Sequence, residues 1–486
     1  MVDAEFYFTI NRGRQYGKTT LLSALYNDLA AEYSIISLSF EALGSASFSN
    51  EMIFCQQFLI QISEKWNGSL DDFAAVTNFP NLSKYITKLC TSRKVVLMID
   101  EVDKESNFQV FLGFLNILRS KYIERSNGHD STFHSVILVG VYDIKNIKFK
   151  MIQDGSHQLA QKEVEQNSPW NIAEKFNVDM AFSISEIMTM LDACEKDHQT
   201  GMNLERVATE IHHYTNGYPV LVSSLCRYMD EELSGWTKID VIEAVRRLVR
   251  ETDNELFKSL SQNLERNEKV RNLLYDVLIL GRRRTFSTDN PNIDLTFRYG
   301  YVMEDKDLVK VFNKIFEMRI TNYFITKDEE DGELIPHGGL INEITKGNRF
   351  NMALCLERFA LHWQELYSDR DLKFLEKQCR LIFLTYLKPI INGAGFYFIE
   401  SALTDDRRMD VVVIFNQQRF VLELKIWKGL LYNEKGVEQL LGYMDKLDEN
   451  SGYLLTFDFR KNPELILPAW RLEGRKEVFE VRVSSV

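Results

Sequence analysis

A short apolar run, Phe6-Tyr7-Phe8-Thr9-Ile10, leads directly into Asn11-Arg12-Gly13-Arg14-Gln15-Tyr16-Gly17-Lys18-Thr19-Thr20 and then into a helix-like segment, 21–33. No other stretch restricts the fold as much. A buried strand that hands over to a helix through a glycine loop lets bare backbone N–H groups and the helix dipole converge on an anion. The expected fold class is therefore α/β, of the P-loop NTPase kind, with ATP as ligand and Mg2+ as its companion. Gly17 would let the backbone approach closely, Lys18 would reach the outer phosphates, and Thr19 would hold the magnesium through its hydroxyl. Gly13 and Thr20 complete the candidate nucleotide-binding set. The usual pattern has its first glycine where this chain has Arg12, and Gly13 comes one position late.

Residues 95–103, Val-Val-Leu-Met-Ile-Asp-Glu-Val-Asp, form an apolar strand ending in two carboxylates. Asp100 would bind the magnesium, directly or through water, and Glu101 would polarise the attacking water. An ordinary strand-to-helix turn and a helix cap are the plainer readings of these two motifs, but their order and separation favour the nucleotide site. A further strand, 135–141, ends near Tyr142 and Asp143, where a residue would sense the terminal phosphate. It reads equally as a plain core strand.

The chain has 486 residues, 45% of them hydrophobic and 26% charged, with a net charge of -12. This length predicts about three soluble globular units. The acidity argues against a DNA-coating protein, although Arg282-Arg283-Arg284 and Arg407-Arg408 are local basic patches. The six cysteines are scattered, without the close spacing of a zinc or redox pair, and the eight histidines, His212-His213 included, suggest no zinc site either. Reduced core thiols, no targeting segment, no membrane span and a cytoplasmic location are expected.

Further on, Tyr214-Thr-Asn-Gly-Tyr-Pro-Val-Leu-Val-Ser-Ser-Leu-Cys-Arg227 contains Gly217 and Pro219, which end one helix and start the next. With Phe-Thr-Ile-Asn-Arg-Gly-Arg-Gln-Tyr-Gly-Lys-Thr-Thr and Ile-Asp-Glu-Val-Asp, this segment resembles the bacterial AAA-ATPase-like family, ATPases often fused to a nuclease domain. The resemblance covers residues 1–250. It implies a parallel sheet with helices on both faces (1–190), then a small helical lid (191–255) whose Gly-Tyr-Pro turn lies near the nucleotide. Members often carry residues before the first strand, so it also implies a late or trimmed start. An arginine finger cannot be singled out; Arg227 is one of several candidates.

Residues 256–346 show amphipathic helices at 256–264 and 270–279, a polar turn at 285–291 and a further segment at 308–326. This suits a winged-helix-like linker domain, with a joining role preferred over DNA contact because acidic clusters share the segment. In 347–486, Asp410 opens an apolar strand, 416–418 turn, and 420–427 return. Glu423 and Lys425 are two apart and so share a face of the returning strand. Burying that charged pair needs a partner, and a metal with Asp410 supplies one. Asp410 and Glu423 would hold Mg2+, and Lys425 would orient the water and stabilise the developing charge. The constellation resembles the PD-(D/E)XK nuclease superfamily, an α/β restriction-endonuclease-like fold. That resemblance implies a metal-directed Glu376 in the helix 372–387 and an active-site Gln439 in the helix 436–447. Glu400 is a further candidate ligand, a surface-strand role being preferred. A structural salt bridge of Lys425 is the plainer alternative.

Together these features predict an ATPase fused to a Mg2+-dependent nuclease acting on nucleic acid, DNA above RNA. ATP would gate cleavage, with phage or mobile-element defence as the setting by family analogy and a homo-oligomer left open. The alternatives are a nucleotide switch whose C-terminal domain binds nucleic acid without cutting, and a non-nucleolytic DNA-remodelling ATPase.

Overall fold

The computed structural model describes the chain apart from residues 67–69, 103–107, 141–169, 177, 234, 280–281, 332–342, 347–348, 367–371, 392–393, 401–408, 461–462, 464–465 and 485–486. The described residues form two compact units, Met1–Met180 and Ala181–Val486. No helix among them is long and apolar enough to cross a membrane.

In the first unit the chain runs β1 (Tyr7–Asn11), α1 (Lys18–Leu29), β2 (Ser34–Ser39), α2 (Phe40–Leu43), α3 (Glu51–Lys65), α4 (Phe79–Cys90), β3 (Val95–Asp100), α5 (Phe108–Ser126), β4 (Ser135–Gly140) and β5 (Glu174–Lys175). The strands form one sheet in the order β2-β3-β4-β1-β5, and every pair in it is parallel. Parallel strands covered on both faces read as unbroken apolar runs, and all six residues of β3 and of β4 are buried. Alternate residues divide between two cores. Leu97, Ile99, Val136 and Leu138 join an aromatic cluster with Phe54, Phe58 and Phe114, while Val96, Met98, Ile137 and Val139 pack with Phe8, Ile10 and Leu22 of α1. Phe58 and Phe114 meet edge-on at 4.9 Å, and truncating either to alanine would cost about 3–5 kcal/mol.

α1 starts at Lys18, not at Leu21 as the pattern suggested, and ends at Leu29, short of Tyr33. Its start is set by Gly17, an N-cap in the left-handed region (φ 79°) that side chains with a Cβ rarely enter.

The second unit opens with four helices, α6 (Ile184–His198), α7 (Leu204–Thr215), α8 (Pro219–Glu232) and α9 (Lys238–Arg250). Ser183 with Glu186 and Thr237 with Asp240 form capping boxes that start α6 and α9. A segment boundary at 190 falls inside α6. At the turn before α8, Gly217 has φ +72°, and a Cβ there would stand 2.1 Å from the Phe182 carbonyl oxygen. The Phe182 N–H donates to the Gly217 carbonyl, so this turn must carry glycine.

Next come α10 (Glu255–Arg266), α11 (Glu268–Leu278), α12 (Pro291–Arg298), the hairpin β6 (Val302–Asp305) and β7 (Leu308–Val311), and α13 (Lys314–Asp331). The segment read as a polar turn, 285–291, pairs with β7 at one isolated bridge, Thr285 to Leu308. The arginine run is less available than its sequence suggested. Arg282 lies 2.9 Å from Asp276, and Arg284 pairs with the same carboxylate.

The chain finishes with β8 (Thr345–Lys346), β9 (Arg349–Phe350), α14 (Met352–Leu366), α15 (Leu372–Ile391), β10 (Gly395–Glu400), β11 (Met409–Phe415), β12 (Gln418–Ile426), α16 (Leu430–Leu447), β13 (Ser451–Asp458), β14 (Ala469–Glu473) and β15 (Lys476–Ser484). The last six strands form a mixed sheet, β10-β11-β12-β13-β15-β14. β10, β11 and β12 are antiparallel neighbours, while β12, β13 and β15 run parallel. α16 lies on one face over Val421, Leu454 and Val478. It begins at Leu430, so Gly436 sits inside the helix and does not open it as expected.

Candidate functional sites

The loop between β1 and α1 is shaped by two left-handed residues, Gln15 (φ 54°) and Gly17 (φ 79°). α1 begins with no side-chain cap and no acidic residue in its first turn, an N-terminus whose dipole and backbone N–H groups favour an anion. The buried Lys18 folds back over the loop, its Nζ donating to the carbonyls of Arg12 at 3.1 Å and Gly13 at 2.9 Å. Arg12 is tolerated at the missing-glycine position because its side chain leaves the loop and donates to the carbonyls of Asn11 and Val178.

β4 lies between β1 and β3, so the loop and the acidic strand end are not sheet neighbours. The structure nevertheless joins them. The Thr19 hydroxyl donates to Asp100 Oδ2 at 2.7 Å across 81 residues of sequence. The other oxygen, Oδ1, accepts the Glu101 N–H at 2.9 Å, and Glu101 itself is left-handed at φ 55°. Such a conformation in a non-glycine residue is uncommon and aims the side chain away from the strand's own alternation. Thr19 and Asp100 line a cleft of about 570 Å³ walled by Leu22, Tyr26, Ser37 and Ser39. The donor set fits a nucleotide phosphate with magnesium: uncapped N–H groups, an ammonium, and a hydroxyl beside a carboxylate. Tyr142 and Asp143 lie outside the described residues.

In the C-terminal sheet, the hairpin register sets Asp410 opposite Glu423 and Glu400 opposite Asp410. Three acidic residues therefore occupy one level of three adjacent strands, at positions that share a face. The side chains of Glu400, Asp410 and, on α15, Glu376 lie outside the described residues. Glu423 and Lys425 are each only 1% exposed. Glu423 Oε1 is buried and has no hydrogen-bond partner among the described residues. Gln439 on α16 has its own Oε1 buried in the same condition. A carboxylate oxygen left this way is costly unless a cation or donor occupies the site.

Gly436 was not singled out in the sequence. A Cβ at this position would meet Lys425 Nζ at 2.5 Å, so α16 passes close to the ammonium only because the residue is glycine. Gln439 lies three residues on, on the same side of the helix. The available signal was a glycine inside a helical pattern.

Lys425 is in register with Thr456, and Thr456 with Arg482. The Arg482 guanidinium lies 3.6 Å above the Trp427 ring, with Arg460 also over that ring at 5.1 Å. Burial alone would raise the Asp458 carboxyl, but hydrogen bonds from Arg460, with the charge of Arg482 nearby, hold it below its ordinary value. These contacts tie together the ends of β12, β13 and β15 beside Lys425.

No protein-family model matches this chain, and no curated protein matches it. Among solved structures, a Walker-type ATPase of Pyrococcus abyssi is similar over 65% of this chain and 90% of its own, with 12% identity and a TM-score of 0.42. The ORC2 protein of Aeropyrum pernix, solved as ADPNP–ADP complexes, is similar over 66% of this chain and 88% of its own, with 12% identity and a TM-score of 0.29.

Proposed function

We propose that this chain binds and hydrolyses ATP with Mg2+ in its first unit, and that its C-terminal sheet is a metal-dependent nuclease whose cleavage of DNA is gated by the nucleotide. The observation that carries the reading is the hydrogen bond from Thr19 to Asp100, which joins a glycine-loop hydroxyl to a carboxylate at the end of a different strand. Magnesium, when bound, neutralises phosphate charge and orients the transferring group. Thr19 and Asp100 would hold it. Lys18 moves from the loop carbonyls to the outer phosphates, the N–H groups of α1 bind phosphate oxygens, and Glu101 orients the attacking water.

The fold reading extends the same way. The segment 191–255 serves as a helical lid, 256–346 as a winged-helix-like linker, and 347–486 as a restriction-endonuclease-like domain. There, Asp410 and Glu423 would hold a divalent cation, which supplies Lewis-acid activation at the phosphodiester. Lys425 donates to the attacking water and to developing negative charge, Gln439 positions the site, and Glu376 assists the metal. The unsatisfied Glu423 oxygen and the close passage of Gly436 support this reading over a structural salt bridge.

The purified chain, incubated with Mg2+ and plasmid, linear or single-stranded DNA, is expected to cut at least one of them in an ATP-dependent way. A Glu423→Ala/Lys425→Ala variant should not. ATP hydrolysis without cleavage of any substrate would favour the nucleotide-switch reading.

A further inference from the structure

Two helices of the second unit each carry a pair of metal-ligating residues spaced four apart, Cys194 and His198 on α6 and Cys226 and Asp230 on α8. Residues at this spacing stand one above the other on a single helix face. Each helix therefore offers a two-donor edge, and the tertiary structure brings the edges together. The Cys194 Sγ, a ring nitrogen of His198 and a carboxylate oxygen of Asp230 all lie within 4.8 Å of one another. His198 Nδ1 is 3.8 Å from Asp230 Oδ1. Cys226, one turn before Asp230, is half-buried.

An ion pair would account for His198 and Asp230 but not for the Cys194 thiol that meets them, nor for Cys226 on the same face of α8 as Asp230. Two sulfurs, an imidazole and a carboxylate are a donor set for zinc, whereas magnesium and calcium take oxygen ligands. Tetrahedral bonds of about 2.0–2.3 Å place donors roughly 3.3–3.8 Å apart. Cys194, His198 and Asp230, within 4.8 Å of one another, need a closure of about 1 Å, and Cys226, outside that group and one turn from Asp230, swings in by a further rotamer change. We infer that Cys194, His198, Cys226 and Asp230 form a structural zinc site that clamps the C-terminal ends of α6 and α8. This inference is independent of the nucleotide and nuclease readings, whose proposed ligands include no cysteine.

The test uses the full chain, reduced, stripped of metal and titrated with Co2+ in excess Mg2+, so that oxygen-donor sites are already filled. A single equivalent should develop tetrahedral d–d bands with thiolate charge-transfer absorption, and Zn2+ should bleach both. Cys194→Ser should lose about half or more of the charge-transfer signal, and His198→Ala should bind at least about tenfold more weakly, since even outer partners of metal ligands are worth that much. Circular dichroism of the metal-free variants confirms that they fold. Cys226→Ser should retain only the weaker absorption of one thiolate, and undiminished intensity would remove it from the ligand set. No charge-transfer band from the folded parent, equal binding by Cys194→Ser, or a Cys194–Cys226 disulfide in place of metal uptake would overturn the site.

Discussion

Lys18 Nζ donates to two loop carbonyls, contacts that it would exchange for phosphate oxygens when nucleotide binds. Lys18→Ala is expected to lower ATP hydrolysis by about a hundredfold or more, the scale of losing one preorganised charge donor, with little change in thermal midpoint. Fluorescent-nucleotide binding and phosphate release check this together. A second residue makes stability depend on pH. Glu317 on α13 is 4% exposed, and its Oε2 has no hydrogen-bond partner among the described residues. Burial pushes its carboxyl up from 4.5 to about 7, against the pull of Lys314 one turn earlier. Between those values the folded chain keeps a proton that the unfolded chain has released. The stability associated with that proton is complete below 4.5 and is lost as pH rises through about 7, by at most about 1.4 kcal/mol per pH unit. Glu317→Gln should therefore match its parent near pH 4 and gain on it as pH rises toward about 8. Thermal midpoints across that range measure the difference, and a constant offset would contradict the account.

At the scale of elements, the β11–β12 hairpin and α16 act together. The hairpin sets the positions of Asp410 and Glu423 in register, and α16 closes over Lys425 at Gly436. In Gly436→Ala the new methyl group meets the far end of a flexible lysine, so the helix should fold while the ammonium is displaced. DNA cleavage is expected to fall by about tenfold or more, with a melting temperature within a few degrees of the parent. A large stability loss with normal specific activity would mean that the glycine serves packing alone. The hairpin was legible in the sequence because alternation and a short polar turn are local signals. The start of α16 was not, because Gly436 resembles a helix boundary and only its approach to Lys425 explains it. Likewise α1 was placed three residues late, since the left-handed Gly17 begins the helix within the motif itself.

Across the whole molecule, the two candidate sites belong to different compact units, the phosphate loop to Met1–Met180 and the carboxylates to Ala181–Val486. Asp410→Ala and Lys425→Ala should each abolish cutting while leaving ATP hydrolysis within about twofold, because the residues assigned to hydrolysis all belong to the other compact unit. Loss of both activities in either variant would argue against separate sites. What the sequence by itself determined is local: the β1-loop-α1 order, the buried apolar strands, the two-residue spacing of Glu423 and Lys425, and the glycine at 217. These follow from backbone sterics and side-chain periodicity acting over a few residues. Only the tertiary structure decided that β4 separates β1 from β3 and that Thr19 reaches Asp100 from 81 residues away. It also decided that Cys194 and His198 of α6 meet Asp230 of α8. Those outcomes depend on which faces bury one another, and that is settled by packing between distant segments rather than by the pattern within any one of them.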